Sequence, residues 1–164
     1  MKMALLVIDL QQAYHSGPDA ASMDSACEYI NAALPLFRGR DLPVIWIQHV
    51  DERDGAIQGS PGFEVIDKLK PLPGEQRIAK RYNNSFNKTP LASLLAEAKV
   101  DTVLIAGYCA EYCVLSTYRG ALDLDLTPVL LRGAIAGGDA ANLGFVEKLC
   151  AVVSFGFLKK TLES

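Results

Sequence analysis

The sequence of 164 residues contains no apolar run that approaches the ~20 residues needed for a membrane-spanning helix. It also lacks any cluster of basic residues, because its 16 Lys and Arg are scattered among 19 Asp and Glu and the net charge is -3. A basic patch is the usual mark of proteins that bind nucleic acid or an anionic membrane. We therefore expect neither a nucleic-acid partner nor a membrane partner.

Phosphate-binding signatures are absent as well. No G-x-G-x-x-G follows the first apolar segment, and no G-x-x-x-x-G-K-[ST] occurs anywhere. A dinucleotide or nucleotide cofactor has no support, and we expect no cofactor. Metal binding through two cysteines and a histidine is the weakest possibility, since no residue completes such a ligand set.

Cysteine is sparse and shows no spacing typical of a disulfide scaffold; the four are Cys27, Cys109, Cys113 and Cys150. The opening segment MALLVIDL is interrupted by Asp9 and is not followed by a small-residue cleavage site, so it reads as a strand and not as a signal peptide. We expect reduced thiols and a cytoplasmic location.

Short β-branched runs alternate with segments of helical periodicity along the whole chain. This pattern predicts a single domain, 1–164, with an α/β fold: a three-layer α/β/α sandwich around a doubly wound, six-stranded, mainly parallel sheet. The predicted strands are 3–8, 42–48, 77–80, 103–106, 128–131 and 150–155. The predicted helices begin at Ser22 or Asp24, at Phe63, after Thr89, at Cys113 and at Asp139, and a short tail helix is possible.

Three chemically distinct side chains fall at predicted strand ends. Asp9 ends the first strand, Lys80 ends the third, and Cys113 follows the fourth. Ligands of open α/β sheets bind beyond the carboxyl ends of the strands, so the three side chains can converge. Taken singly, each has an ordinary explanation: a solvated turn residue, a surface lysine and a small buried thiol.

Together they predict a nucleophile with its support. Cys113, at the start of a helix, gains from the free amides and the dipole there, which lower a thiol pKa. Asp9 takes the thiol proton and later returns one to the leaving amine, while Lys80 keeps Asp9 ionised. The amides of Cys113 and of a residue in the preceding turn form an oxyanion hole.

These segments resemble the isochorismatase-like cysteine hydrolases, which include nicotinamidases and N-carbamoylsarcosine amidases. LLVIDLQQAY, KRYNNSF and AGYCAEYCVLST resemble three family segments and place the family's catalytic residues on Asp9, Lys80 and Cys113. The resemblance also implies a cis peptide at Tyr108-Cys109, with the Cys109 amide in the oxyanion hole. It further implies a dimer or larger homo-oligomer, which Trp46 and the loop 55–62 would favour by leaving uncovered surface.

The resemblance indicates C–N hydrolysis of a small-molecule substrate, because true isochorismatases lack the nucleophilic cysteine. A nicotinamidase-type metal site needs three histidines, and this chain has only His15 and His49, so we expect no metal. The predicted substrate-binding residues suit a small uncharged or weakly polar amide; they are Tyr14, His15, Gln48, His49, Tyr82, Asn83, Tyr108 and Tyr112.

A thiol-based redox or small-molecule-binding protein is the alternative. The pair Cys109 and Cys113 would serve as its redox couple, although such couples prefer the spacing C-x-x-C. This alternative assigns no role to Asp9 or Lys80.

Overall fold

A computed structural model describes residues 1–163. The chain alternates between strands and helices, as the periodicity predicts. The strands are β1 (Met3–Ile8), β2 (Val44–His49), β3 (Gln76–Lys80), β4 (Thr102–Tyr108), β5 (Thr127–Ala136) and β6 (Val152–Val153). The helices are α1 (Gly17–Arg38), α2 (Leu91–Glu97), α3 (Leu115–Leu122), α4 (Ala140–Leu149) and α5 (Phe155–Glu163).

The six strands form one parallel sheet in the order β3-β2-β1-β4-β5-β6. The chain starts in the centre of the sheet, moves outward to β3, and returns to the centre at β4. The strand order therefore reverses between β1 and β4, which is where doubly wound sheets bind their ligands. The α/β sandwich predicted from the sequence is confirmed.

Helices cover both faces of the sheet. All six residues of β1 are buried: Met3, Leu5 and Val7 belong to the core shared with α1 and α5, whereas Ala4, Leu6 and Ile8 belong to the core shared with α2, α3 and α4. Successive side chains of a strand point to opposite faces, so a continuous apolar run supplies both cores at once.

Several predicted boundaries are wrong. The helix predicted to begin at Phe63 does not form; Pro61–Phe63 makes a single 3-10 turn, and the chain then runs back along the segment after β1, where the Ile66 amide donates to the Leu10 carbonyl at 3.0 Å. Helix α1 begins at Gly17, earlier than predicted, with Pro18 in its first turn, and it continues through Pro35. The last strand has only two residues.

Trp46 does not leave surface uncovered, contrary to the expectation from the sequence. Its side chain is buried in β2, and Nε1 donates a hydrogen bond to Glu75 Oε2 at 2.7 Å. Within residues 1–163, none of the helices has both the length and the apolar character required to cross a membrane.

Candidate active site

Asp9, Lys80 and Cys113 meet at the carboxyl edge of the sheet. Asp9 follows β1, Lys80 is the last residue of β3, and Cys113 lies in a π-helical turn, Ala110–Val114, between β4 and α3. Lys80 Nζ lies 2.8 Å from Asp9 Oδ2 and 3.3 Å from Cys113 Sγ. Residues far apart in the sequence are thus within hydrogen-bond distance of one another.

The Lys80 ammonium is fully enclosed, with a side chain 0% exposed. Its third neighbour is His49 Nδ1, at 2.9 Å. An ammonium has three N–H donors, and here it has three acceptors, which satisfies the buried charge completely. Because His49 Nδ1 accepts this hydrogen bond, the neutral imidazole carries its own proton on Nε2. Burial and the neighbouring Lys80 charge lower the pKa of His49, which keeps the ring neutral.

Asp9 has one oxygen engaged and one available. Its Oδ1 is buried and has no hydrogen-bond partner within residues 1–163. The backbone of Asp9 adopts φ 52, and its amide donates to the Ile47 carbonyl of β2 at 2.8 Å. A buried, unpaired carboxylate oxygen close to a thiol is a ready proton acceptor.

The Cys113 thiol is not acidic, which contradicts the pKa lowering expected at a helix start. Burial, followed by the Asp9 charge, raises the pKa of Cys113 to about 12, and Lys80 opposes this only in part. The thiol lies in the turn before α3, where burial outweighs the effect of the amides. The resting thiol is therefore protonated at neutral pH and needs a base when it reacts.

A small cavity opens beside Cys113. It encloses about 270 Å³ and is lined by Asp9, Tyr14, His49, Asp51, Asp54, Asn83, Tyr108, Cys109, Tyr112 and Cys113. The rings of Tyr14 and Tyr108 stack on one wall, with centroids 5.5 Å apart. A larger apolar cavity of about 680 Å³, between α5 and the amino ends of the strands, contains none of the three converging residues.

Three predicted substrate-binding residues do not line the cavity beside Cys113. His15 Nε2 pairs with Asp24 Oδ1 at 2.8 Å. Gln48 is buried and donates to the Phe63 carbonyl at 2.8 Å. Tyr82 borders a separate depression, where its hydroxyl accepts a hydrogen bond from Lys88 at 3.0 Å.

Asp51 and Asp54 were not predicted but do line the cavity. They belong to the long polar loop after β2, and the position of this loop at the carboxyl edge was the only signal for them. Asn83 Oδ1 lies 3.7 Å from Cys113 Sγ. Its loop is fastened to α3 because the Thr117 hydroxyl accepts from the Ser85 amide at 3.0 Å.

The donor atoms of Asp9, His49 and Cys113 lie within 4.8 Å of one another, close enough for a metal site. Lys80 Nζ, however, contacts all three residues. The ammonium thus supplies the positive charge that a metal ion would bring, so this set of donors does not fit a metal.

Cys109 directly precedes the turn that carries Cys113. The Tyr108-Cys109 peptide is cis, and the Cys109 thiol donates to Glu111 Oε2 at 3.3 Å. Burial and the Glu111 carboxylate raise the pKa of Cys109. The Cys109 thiol therefore stays protonated and unreactive at neutral pH.

The model of the isochorismatase domain family matches residues 3–153. The chain belongs to the isochorismatase family. Among its relatives, the ureidoacrylate amidohydrolase RutB of Cronobacter sakazakii is 28% identical over 170 residues, covering 80% of this chain and 73% of that protein. Streptothricin hydrolase of Streptomyces noursei is 34% identical over 122 residues, covering 73% of this chain and 48% of that protein.

Solved structures of the isochorismatase family share the fold. An isochorismatase-like hydrolase from Alkaliphilus metalliredigens superposes with a TM-score of 0.87 at 24% identity, covering 98% of this chain and 99% of that one. The family assigned from three short segments of sequence is confirmed.

Proposed function

We propose that this isochorismatase-family protein is a cysteine hydrolase that cleaves the C–N bond of a small amide or ureide through a thioester on Cys113. The observation that carries the proposal is the enclosed Lys80 ammonium, bonded to both Asp9 and Cys113. The ammonium favours the negative charge that develops on the sulfur when the thiol loses its proton. The names of the two relatives, an amidohydrolase and a hydrolase, agree with this reaction class.

In the first half-reaction, Asp9 Oδ1 receives the thiol proton while Cys113 Sγ attacks the substrate carbonyl carbon. The Cys109 and Cys113 amides hold the negative charge that develops on the carbonyl oxygen. The tetrahedral intermediate collapses as the C–N bond breaks, and Asp9 gives its proton to the departing nitrogen.

In the second half-reaction, water attacks the thioester carbon and Asp9 takes one of its protons. The C–S bond then breaks, the acid product leaves, and the proton returns to the Cys113 sulfur. Lys80 bonds Asp9 Oδ2 and leaves Oδ1 free to exchange protons. A base is indispensable because the thiol pKa is about 12.

A screen of amides and ureides with ammonia release as the readout tests this function. Cys113→Ala and Asp9→Asn should each lower turnover by on the order of 10⁴-fold or more, and the double variant should lose little further, because the two groups act as a unit. Cys109→Ser should cost far less, since only its backbone amide is used. Full activity in Cys113→Ala, or equal losses at both cysteines, would support the redox or binding alternative instead.

A further inference from the structure

Three of the ten residues that line the cavity beside Cys113 carry a carboxylate. Asp9, Asp51 and Asp54 line it, and no lysine or arginine among residues 1–163 does so. Acidic residues alone do not define a binding site. Here, however, they share the cavity with the candidate nucleophile and with Asp9 Oδ1, a buried oxygen that has no partner in the described chain.

Two of the three carboxylates are balanced by a cation. Asp9 pairs with Lys80 at 2.8 Å, and Asp51 pairs with Arg53 at 3.1 Å. Arg53 is 90% exposed, so water and salt screen much of its charge. Asp54 is exposed, and it shares the Arg53 charge with Asp51, since both carboxylates raise the pKa of that guanidinium. With Lys80 and Arg53 set against Asp9, Asp51 and Asp54, one negative charge is in excess at the cavity.

Asp54 is held in a closed turn. Asp51 and Ala56 exchange two backbone hydrogen bonds, of 3.1 and 2.9 Å, on either side of it. Gly62 packs so closely on this turn that a Cβ there would lie 2.3 Å from the Gly55 carbonyl oxygen. The position of the Asp54 backbone is thus set by the fold, and its side chain is exposed at the cavity mouth.

The two stacked tyrosines of the cavity can also interact with a cation. The stacked rings of Tyr14 and Tyr108 offer π surfaces that attract cations. Burial, followed by the charges of Asp9, Asp54 and Asp51, raises the pKa of Tyr14, so its hydroxyl stays neutral. The charges of the three aspartates also make the electrostatic potential at the ring negative.

We propose that the substrate is a small amide or ureide that carries a cationic group, an ammonium or guanidinium, and that Asp54 recognises this group at the cavity mouth beside the tyrosines. This proposal rests on the proposed hydrolase function and narrows its substrate class. It replaces the uncharged amide expected from the sequence. The volume of about 270 Å³ limits the part of the substrate that enters to a few heavy atoms beyond the amide.

The charge preference can be measured without knowing the substrate. Iodoacetamide and iodoacetate differ mainly in charge, and both alkylate thiols. The ratio of their rates at Cys113, followed by peptide mass spectrometry, is compared with the ratio for N-acetylcysteinamide in solution. We expect iodoacetate to be disfavoured at Cys113 by about fivefold, less so at high salt. A ratio equal to that of the free thiol, or in favour of iodoacetate, would overturn the proposal.

Asp54→Asn should return the alkylation ratio most of the way to the free-thiol value. Glu52→Gln is the matched control, because Glu52 lies in the same loop but does not line the cavity. An unchanged ratio in Asp54→Asn, or an equal change in both variants, would contradict a specific role for Asp54.

Turnover gives the second test. 3-Aminopropanamide and butanamide have the same number of heavy atoms, and only the first is cationic at neutral pH. We expect ammonia release with a higher kcat/KM for 3-aminopropanamide, and Asp54→Asn should reduce that advantage through KM. Preference for butanamide would reject the cationic class while leaving the hydrolase function standing. If neither amide is cleaved, the result counts against the proposed hydrolase function. The alkylation ratio alone would then test the charge preference.

Discussion

The burial of Lys80 follows from its position at the carboxyl end of β3. A lysine next to Arg81 would ordinarily be a surface residue, yet its side chain is 0% exposed and bonds three acceptors. Removing any one partner of such a buried charge is costly, because the remaining charges stay desolvated. The arrangement places the Asp9 carboxyl beside a thiol whose raised pKa keeps it protonated, which is the state from which the proposed reaction starts.

The pH dependence of Cys113 alkylation follows from its pKa of about 12. The rate with iodoacetamide should rise about tenfold per pH unit between pH 7 and 10, because only the thiolate reacts, whereas a free thiol levels off above its pKa of about 8.5. A plateau in the Cys113 rate below pH 9 would contradict this assignment.

The sequence was sufficient to predict that Asp9, Lys80 and Cys113 converge, because each directly follows or ends a strand and parallel strands end at one edge of the sheet. It could not predict the acidity of the thiol, which depends on burial by residues remote in sequence. The position of Asp54 at the cavity was not predicted, for a related reason. Loops carry no periodicity, so the direction in which the loop after β2 folds back is visible only in three dimensions.

At the scale of elements, the contact between β1 and β4 sets the geometry of the site. Ile8 pairs with Gly107 directly before Asp9. Gly107 has φ 127, and a Cβ there would lie 2.1 Å from the Ile8 carbonyl oxygen. Only glycine permits this approach of the two strands.

Gly107→Ala should therefore lower the free energy of unfolding by about 3 kcal/mol or more and reduce activity by displacing Asp9. Gly144→Ala is the control. Gly144 lies inside α4, and a Cβ added there would have no atom within 4 Å, so alanine should raise the free energy of unfolding by roughly 0.5–1 kcal/mol. Urea unfolding followed by circular dichroism compares the two. Equal stability of both variants would show that the strands can separate at Gly107 without cost.

The elements themselves were more predictable than their ends. All six strands were found; β1, β2, β4 and β5 contain the apolar runs of buried parallel strands, whereas β3 is an edge strand that is mostly exposed. The helix expected at Phe63 failed because its apolar residues pack as an irregular segment: Ile66 and Leu69 are buried in the core beside α1 without a helical backbone. Proline at Pro71 and Pro73 limits the length available for a helix there.

At the scale of the whole molecule, self-association remains a prediction, but its basis changes. Trp46 is buried and offers no surface. Instead, α4 exposes Phe145 and Leu149, one turn apart, with 57% and 46% of their surfaces accessible. An unpartnered apolar stripe of this kind is typical of a protein–protein contact.

We expect light scattering to show a dimer or larger species at micromolar concentration, and Phe145→Glu to shift it toward the monomer. Phe157→Glu, on α5 across the sheet, is the matched control because Phe157 is equally apolar and 65% exposed. A monomeric mass for the unmodified protein would contradict self-association, and dissociation by the Phe157 variant alone would place the contact on α5.

The order of the strands in the sheet has a consequence for protein synthesis. β1, β2 and β3 are neighbours in sequence and in space, so Asp9 and Lys80, 71 residues apart, can meet while the ribosome is still translating. Cys113 joins them only after β4 has inserted on the far side of β1. Until then the nascent chain holds the side chains of Asp9 and Lys80 without the Cys113 thiol. The order of translation thus keeps the reactive thiol out of the site until most of the sheet exists.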